Sequence, residues 1–270
     1  MGVTESVLAR VDTTGRIAEV ILNRSQKLNA LTEAMEQRLF AELRRLAADP
    51  DISCIVVRGN GEAFCAGYDI EEHIGAKGQE VPLPRSALED WVSFRDLLAR
   101  WVSVRELPIP TIAAIHGYCF GIATVFASLV DLVVIAEDAV WGAAQLRGGG
   151  GSTGPVLASL IGQRKAREIE FRAARLSGVD AVNIGWANYA VPCEEVERYA
   201  RELALDIART PREALIAKKA AFNRMMDAQG FAASIEDAAL VHTILNYSDP
   251  VQALRKRVAS DGFKGVTDAG

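Results

Sequence analysis

Between Glu106 and Asp131 the chain carries no Asp, Glu, Lys or Arg. A stretch of that length can either cross a bilayer or lie buried in a protein core. Pro108, Pro110, His116, Gly117 and Gly121 interrupt it. The β-branched run Thr111–Ile115 predicts a strand, and residues 121–130 predict a separate helix. A buried strand–turn–helix is the expectation, and no membrane span.

The neighbouring segments extend that pattern. Residues 6–11 and 18–22 read as short strands around Asp12-Thr13-Thr14-Gly15, a hairpin. Thr32 opens a helix whose apolar positions Met35, Leu39, Leu43 and Leu46 recur at three and four residues, and Asp49-Pro50 ends it. Residues 54–57 form a buried strand closed by Gly59-Asn60-Gly61. Ser86 and Glu89 make a capping box for a helix carrying Trp91, Phe94, Leu98 and Trp101. A second strand follows at 132–135, and from Pro155 onward the pattern is almost wholly helical. Strands alternating with helices, then a helical end, define an α/β core with a helical C-terminal third.

Composition narrows the function. Thirty Lys and Arg against thirty-five Asp and Glu give a formal charge of −5, against the basic excess of a nucleic-acid binder. Cys54, Cys65, Cys119 and Cys193 lack metal-ligand spacing, which suits a reduced, cytoplasmic protein better than a disulfide scaffold. Three histidines, with no HExxH or CxxC pair, argue against a zinc site. Residues 1–10 carry Glu5 and no apolar core, so no secretory signal is expected there.

Three segments place small residues where a strand gives way to a helix. In Ala63-Phe64-Cys65-Ala66-Gly67-Tyr68-Asp69-Ile70, small residues let backbone approach a ligand, and the Tyr68 N–H falls near the start of a helical turn. In His116-Gly117-Tyr118-Cys119-Phe120-Gly121-Ile122, the N–H groups of Gly121 and Ile122 are orphan donors of the next helix. Two such donors converging on one carbonyl oxygen make an oxyanion hole, worth about 3–4 kcal/mol per donor. The alternative is that these glycines only permit tight turns. The third segment, residues 148–155, formally satisfies GxGxxG through Gly149, Gly151 and Gly154. The preceding strand ends far upstream and no Lys follows Gly154, so neither a dinucleotide turn nor a phosphate-binding P-loop is expected. A wall beside a pocket fits it better.

Taken together these segments resemble the crotonase (enoyl-CoA hydratase/isomerase) superfamily. Ile21-Leu22-Asn23-Arg24 through Lys27-Leu28-Asn29-Ala30-Leu31 looks like its LNRPxxxNAL motif. Residues 56–70 look like VLTGxGxAFSAGxDL, residues 113–131 like AAVNGxAxGGGxxLAxxCD, and residues 176–192 like LTGxxxxAxEAxxxGLVxxVV. The match is collinear from about residue 6 to residue 260. The resemblance implies a ββα superhelix over residues 1–195 with an acyl-CoA pocket, then a C-terminal helical region over 196–270 used for trimerisation. It implies a homotrimer or dimer of trimers, and no cofactor beyond the coenzyme A of the substrate. The oxyanion-hole amides would be those of Tyr68 and Ile122, beside Gly121. Ala66, Asp69 and Ile70 would lie near the adenine and pantetheine, with Lys27, Leu28 and Ala30 along the coenzyme A path. Asp69 and Asp131 are expected to cap helix N-termini rather than act in catalysis.

The pattern also departs from the family. Hydratases of this group place water between two glutamates, and here those positions hold Val125 and Gln145. Neither side chain can exchange a proton, and each carboxylate would contribute roughly a hundredfold to ten-thousandfold. Gln145 can still orient water, and Arg147 can hold a substrate carboxylate. Substitute bases would have to come from His73, His116, His242, Glu236 or Asp237, each with a plain structural role as its alternative. The expectation is an enzyme acting on an acyl-CoA thioester through an oxyanion-stabilised enolate. Decarboxylation, C–C hydrolysis and non-catalytic thioester binding remain alternatives.

Overall fold

The structure, a computed structural model, describes residues 6–73, 86–143, 146–147 and 154–267. It opens with the expected hairpin, β1 (Val7–Asp12) and β2 (Ile17–Leu22), whose turn is fixed by Gly15 N donating to Asp12 Oδ1 at 2.9 Å. Helix α1 (Glu33–Ala48) starts at Thr32, whose hydroxyl accepts from Met35 N at 3.2 Å, and buries Met35, Leu39, Leu43 and Leu46. Strand β3 (Cys54–Gly59) runs on through Gly59, so its turn begins one residue later than expected. Then follow α2 (Ile70–His73), α3 (Ala87–Val102) with Ser86 accepting from Glu89 N, β4 (Thr111–Ile115), β5 (Tyr118–Phe120) and α4 (Ile122–Leu129). The uncharged stretch is therefore two strands and a helix. No helix among the described residues is long and apolar enough to cross a membrane.

Beyond it lie β6 (Leu132–Ala136), β7 (Val140–Gly142), α5 (Gly154–Ile161), α6 (Gln163–Arg172), β8 (Arg175–Ser177), α7 (Gly178–Asn183), β9 (Tyr189–Val191), α8 (Val196–Ile207), α9 (Arg212–Ala228), α10 (Phe231–Asn246) and α11 (Asp249–Thr267). Strands β8 and β9 are the exceptions to the almost wholly helical pattern expected after Pro155. Each has three residues and pairs with a distant strand, too little for a period of two to register.

The main sheet has the order β1-β2-β3-β4-β6-β9, parallel throughout except for the first pair. Parallel strands covered on both faces must be apolar along their length, and β4 is buried at every position. A second sheet, β5-β7-β8, stands beside it. Asp131 caps no helix. At the head of β6 it accepts from Thr111 N and Oγ1, both at 2.8 Å, and from Lys219 Nζ at 2.6 Å. Burial lowers the pKa of Lys219, and the charge of Asp131 opposes that shift. The pair bolts α9 onto the sheet.

Candidate active site

The first bend is built by two loops laid side by side. Leu28 O accepts from Ala66 N at 3.0 Å, Leu31 N donates to Gly67 O at 2.8 Å, and Asp69 N donates to Leu31 O at 2.9 Å. Leu31 thus pairs with Tyr68 as in a parallel ladder. In that pattern one residue bonds to the two neighbours of its partner, so the partner's own N–H points to the opposite side. On that opposite side runs β5. Cys65 N donates to Tyr118 O at 3.0 Å, and Phe120 N donates to Cys65 O at 3.2 Å. The Tyr68 amide is turned toward the strand that leads into Gly121.

Gly67 and Gly121 make the contact possible. Gly67 has φ +105°, and a side-chain carbon there would stand 3.0 Å from Phe120 O and 3.9 Å from the Gly121 Cα. Gly121 has φ +59°, and a carbon added to it would likewise be 3.9 Å from the Gly67 Cα. Only a residue without a side chain brings two backbones this close in such conformations. Gly121 is also the N-cap of α4 and offers no capping side chain. Thr124 N and Val125 N bond to Gly121 O at 3.1 and 3.3 Å, while the Ile122 N–H donates to no carbonyl among the described residues. Both amides directly follow a glycine, and the two glycines touch.

Polar side chains brace the first bend from below. Arg24 Nη1 lies 2.6 Å from Asp69 Oδ2 and also donates to Ala30 O at 2.9 Å. Asp69 Oδ1 accepts from the amides of Glu71 and Glu72 at 3.0 and 3.4 Å, capping α2 as expected. Burial of Asp69 favours its neutral form, yet the bonds and charge of Arg24, with those amides, outweigh burial and hold the carboxyl below its ordinary value. The Tyr68 hydroxyl accepts from Trp101 Nε1 at 2.9 Å and bonds the carboxylate of buried Glu36. Burial, then the charge of Glu36, pushes its pKa well up, so the phenol stays protonated. Cys65 and Cys119 are buried beneath the bends, and desolvation pushes the Cys65 thiol up to about 12. They are packing groups, not nucleophiles.

The remaining candidates sort by position. Leu28, Ala30 and Ala66 are half-buried along the shared edge of the two loops, and Lys27 is exposed, 3.6 Å from Glu71. Ile70 is exposed and Asp69 buried. Val125 is buried on α4, one turn from Ile122, so an apolar side chain fills the position of the first expected carboxylate. Gln145 and the 148–153 part of the glycine tract lie outside the described residues. So does the side chain of His73. Arg147 is exposed, as are Glu236 and Asp237. His116 accepts its structural role, with Nε2 2.8 Å from Gly61 O. A surface cleft of about 260 Å³ beside Arg44, Ser103 and Glu106 contains none of these candidates.

Glu36 and Thr124 escape the reading of the sequence, which also took Trp101 only as an apolar helix position. Thr124 Oγ1 lies within bonding reach of Cys119 O at 3.0 Å and Gly142 O at 2.9 Å, tying β5 to β7 under α4. The available signal was a polar residue on an otherwise apolar stripe. Glu36 stands four and seven residues before Phe40 and Leu43.

A parallel sheet flanked by a small second sheet, two glycine bends in contact and a helical C-terminal region define a crotonase-type fold. Residues 12–256 match the family model described as enoyl-CoA hydratase/isomerase, and the chain belongs to that family. A Dictyostelium discoideum protein named "Probable enoyl-CoA hydratase, mitochondrial" is 31% identical over 214 residues, covering 77% of this chain and 73% of the relative. The hydroxycinnamoyl-CoA hydratase-lyase of Pseudomonas fluorescens is 29% identical over 220 residues, covering 80% and 78%. The crystal structure of an enoyl-CoA hydratase from Mycobacterium smegmatis superimposes with a TM-score of 0.86 at 27% identity, covering 97% of this chain and 91% of that one.

Proposed function

We propose that the junction of the Gly67 and Gly121 bends binds the carbonyl of an acyl-CoA thioester, with the Tyr68 and Ile122 amides polarising its oxygen. The approach of the two glycines carries this reading. Each donor is worth about 3–4 kcal/mol to a developing oxyanion. Lys27, Leu28, Ala30, Ala66, Asp69 and Ile70 form the coenzyme A rim of the same site, with Gly121 as its floor. Asp69 acts there through structure, since its carboxylate already holds Arg24 and caps α2. The reaction passes through an enolate, as in the hydratases and isomerases of the family.

A second reading concerns the route. Buried Val125 supplies no proton acceptor beside Ile122. A malonyl-type thioester needs none: its C–C bond breaks, carbon dioxide leaves, the electron pair stays on the α-carbon as the enolate, and solvent supplies the proton. C–C hydrolysis uses the same oxyanion site, with Gln145 orienting water and Arg147 holding a carboxylate. The enzyme works as a homotrimer or dimer of trimers, for which the exposed Phe222 and Met225 of α9 and Leu240, Val241 and Ile244 of α10 supply apolar contact surface.

Incubation with enoyl-, malonyl- and β-ketoacyl-CoAs, read by mass spectrometry, separates the routes. Gain of water, loss of carbon dioxide and chain cleavage give distinct mass changes. A panel that binds but stays unchanged would contradict catalysis and leave a thioester-binding protein.

A further inference from the structure

Helix α4 begins at Ile122, directly after Gly121. In a helix every Cα–Cβ bond tilts toward the N-terminus, the direction in which the unpaired amides of the first turn also point. At the first helical residue the side chain and the N–H therefore leave the backbone on the same side. With standard bond lengths and helical dihedrals, an oxygen bonded to that N–H lies roughly 3.6 Å from the residue's own Cβ. Any oxygen that the Ile122 amide holds is thus in contact with the Ile122 side chain.

The residue type gives this contact a consequence. The motif that residues 113–131 resemble, AAVNGxAxGGGxxLAxxCD, has glycine where Ile122 stands, and a glycine puts nothing beside the oxygen. Ile122 is half-buried, whereas residues 123–129 of α4 are all buried. Part of its side chain packs on the core, and the remainder is open at the head of the helix. A β-branched side chain in a helix holds essentially one χ1 rotamer, so the open part does not swing aside. Across the junction the Tyr68 ring is held as well, by Trp101 Nε1 at 2.9 Å and by an edge-on contact with the Trp101 indole. Neither side chain has freedom to make room for added bulk.

The proposed coenzyme A rim, from Lys27 to Ala30 and from Ala66 to Ile70, belongs to the first bend. With the carbonyl oxygen pinned between the two amides and the sulfur side directed along that rim, the acyl carbon lies toward α4. Resting on the thioester reading above, we propose that the Ile122 side chain selects the acyl group at its α-carbon, admitting thioesters with one carbon substituent there and excluding those with two. Straight-chain acyl, 2-enoyl and malonyl groups meet that condition. Their 2-methyl counterparts press the extra methyl against Ile122.

Calorimetric titration of the full chain with butanoyl-CoA and 2-methylbutanoyl-CoA, both saturated, tests this without relying on turnover. The wild type is expected to bind butanoyl-CoA at least about tenfold more tightly, the discrimination that a single added carbon commands in an apolar site. Ile122→Ala keeps the amide and removes the branch, and should bring the two affinities together through a gain for 2-methylbutanoyl-CoA. Ile122→Val keeps the branch and should keep most of the preference. Ile122→Leu, unbranched at Cβ, gives the same readout as Ile122→Ala should that variant fail to fold by circular dichroism. Equal affinity of the wild type for the two ligands would overturn the inference, as would an unbranched variant that shifts both affinities and leaves their ratio unchanged. Binding of neither ligand would instead sink the thioester reading, and this inference with it.

Discussion

The two bends of the candidate site share one design and differ in what holds them. Each places a positive-φ glycine directly before a bulky residue whose amide is the proposed donor. The Gly67 bend hangs on charged and polar side chains, with Arg24 on Asp69 and Trp101 and Glu36 on the Tyr68 hydroxyl. The Gly121 bend rests on α4, on buried apolar neighbours and on the neutral hydroxyl of Thr124. The first is adjustable through charge and side-chain chemistry. The second is set by the helix it begins.

The sharpest way to break this symmetry is to give each glycine a methyl group. Gly67→Ala would press against Phe120 O at a φ that L residues avoid, and thioester affinity and turnover should fall by at least about a hundredfold as the donor is displaced. Gly121→Ala meets nothing nearer than 3.9 Å, but its backbone, at φ +59° and ψ −122°, lies outside the left-handed helical region that L residues tolerate. Backbone strain should cost about 1–3 kcal/mol in stability, with a milder loss of binding than at Gly67, where the contact with Phe120 O is added. Parallel titration and melting curves check the pair, and equal losses would erase the distinction.

Removing single hydroxyls should have smaller effects. Tyr68→Phe leaves the Trp101 indole N–H and the Glu36 carboxylate each short of a buried partner, at about 1–3 kcal/mol of stability by chemical denaturation. Thioester affinity should largely survive, because the proposed donor there is backbone. Thr124→Val frees one buried bond and should cost about 1–2 kcal/mol. A large loss of affinity in Tyr68→Phe would assign the phenol a direct role.

The smallest difference should appear with pH. The folded pKa of Asp69 lies below its ordinary value, so its contribution to stability is complete above that value and disappears as pH falls through the lower, folded one. Hydrogen exchange, corrected for intrinsic rates, should show residues 66–72 losing protection on acidification ahead of residues 119–125. Simultaneous loss would mean that Asp69 does not hold the first bend.

Much of this arrangement was legible beforehand because it is written in local pattern. The uncharged run, its two prolines and its glycines marked β4 and α4, and the stripe from Met35 to Leu46 marked α1. Long-range pairings were not. Strands β5, β7, β8 and β9 have three residues each and exist because a distant strand supplies their hydrogen bonds. Asp131 looked like a helix cap because it sits near a helix end. Its real partners, Thr111 and Lys219, come from other parts of the chain. At the site the glycines were visible, since backbone chemistry advertises itself in residue type. The bonds of Glu36 and Trp101 to the Tyr68 hydroxyl were not, because each looks like an ordinary residue of an amphipathic helix until its partner is in place.

The central claim is that backbone amides carry the chemistry, and one substitution addresses it directly. Ile122 is the first residue of α4, where proline is tolerated in a helix and where its ring removes an N–H that donates to no carbonyl among the described residues. Ile122→Pro should keep the secondary structure and melting transition close to wild type, yet lower thioester turnover by about a hundredfold to a thousandfold, the cost of one lost oxyanion donor. A folded Ile122→Pro protein that binds and turns over acyl-CoA like the wild type would contradict the account.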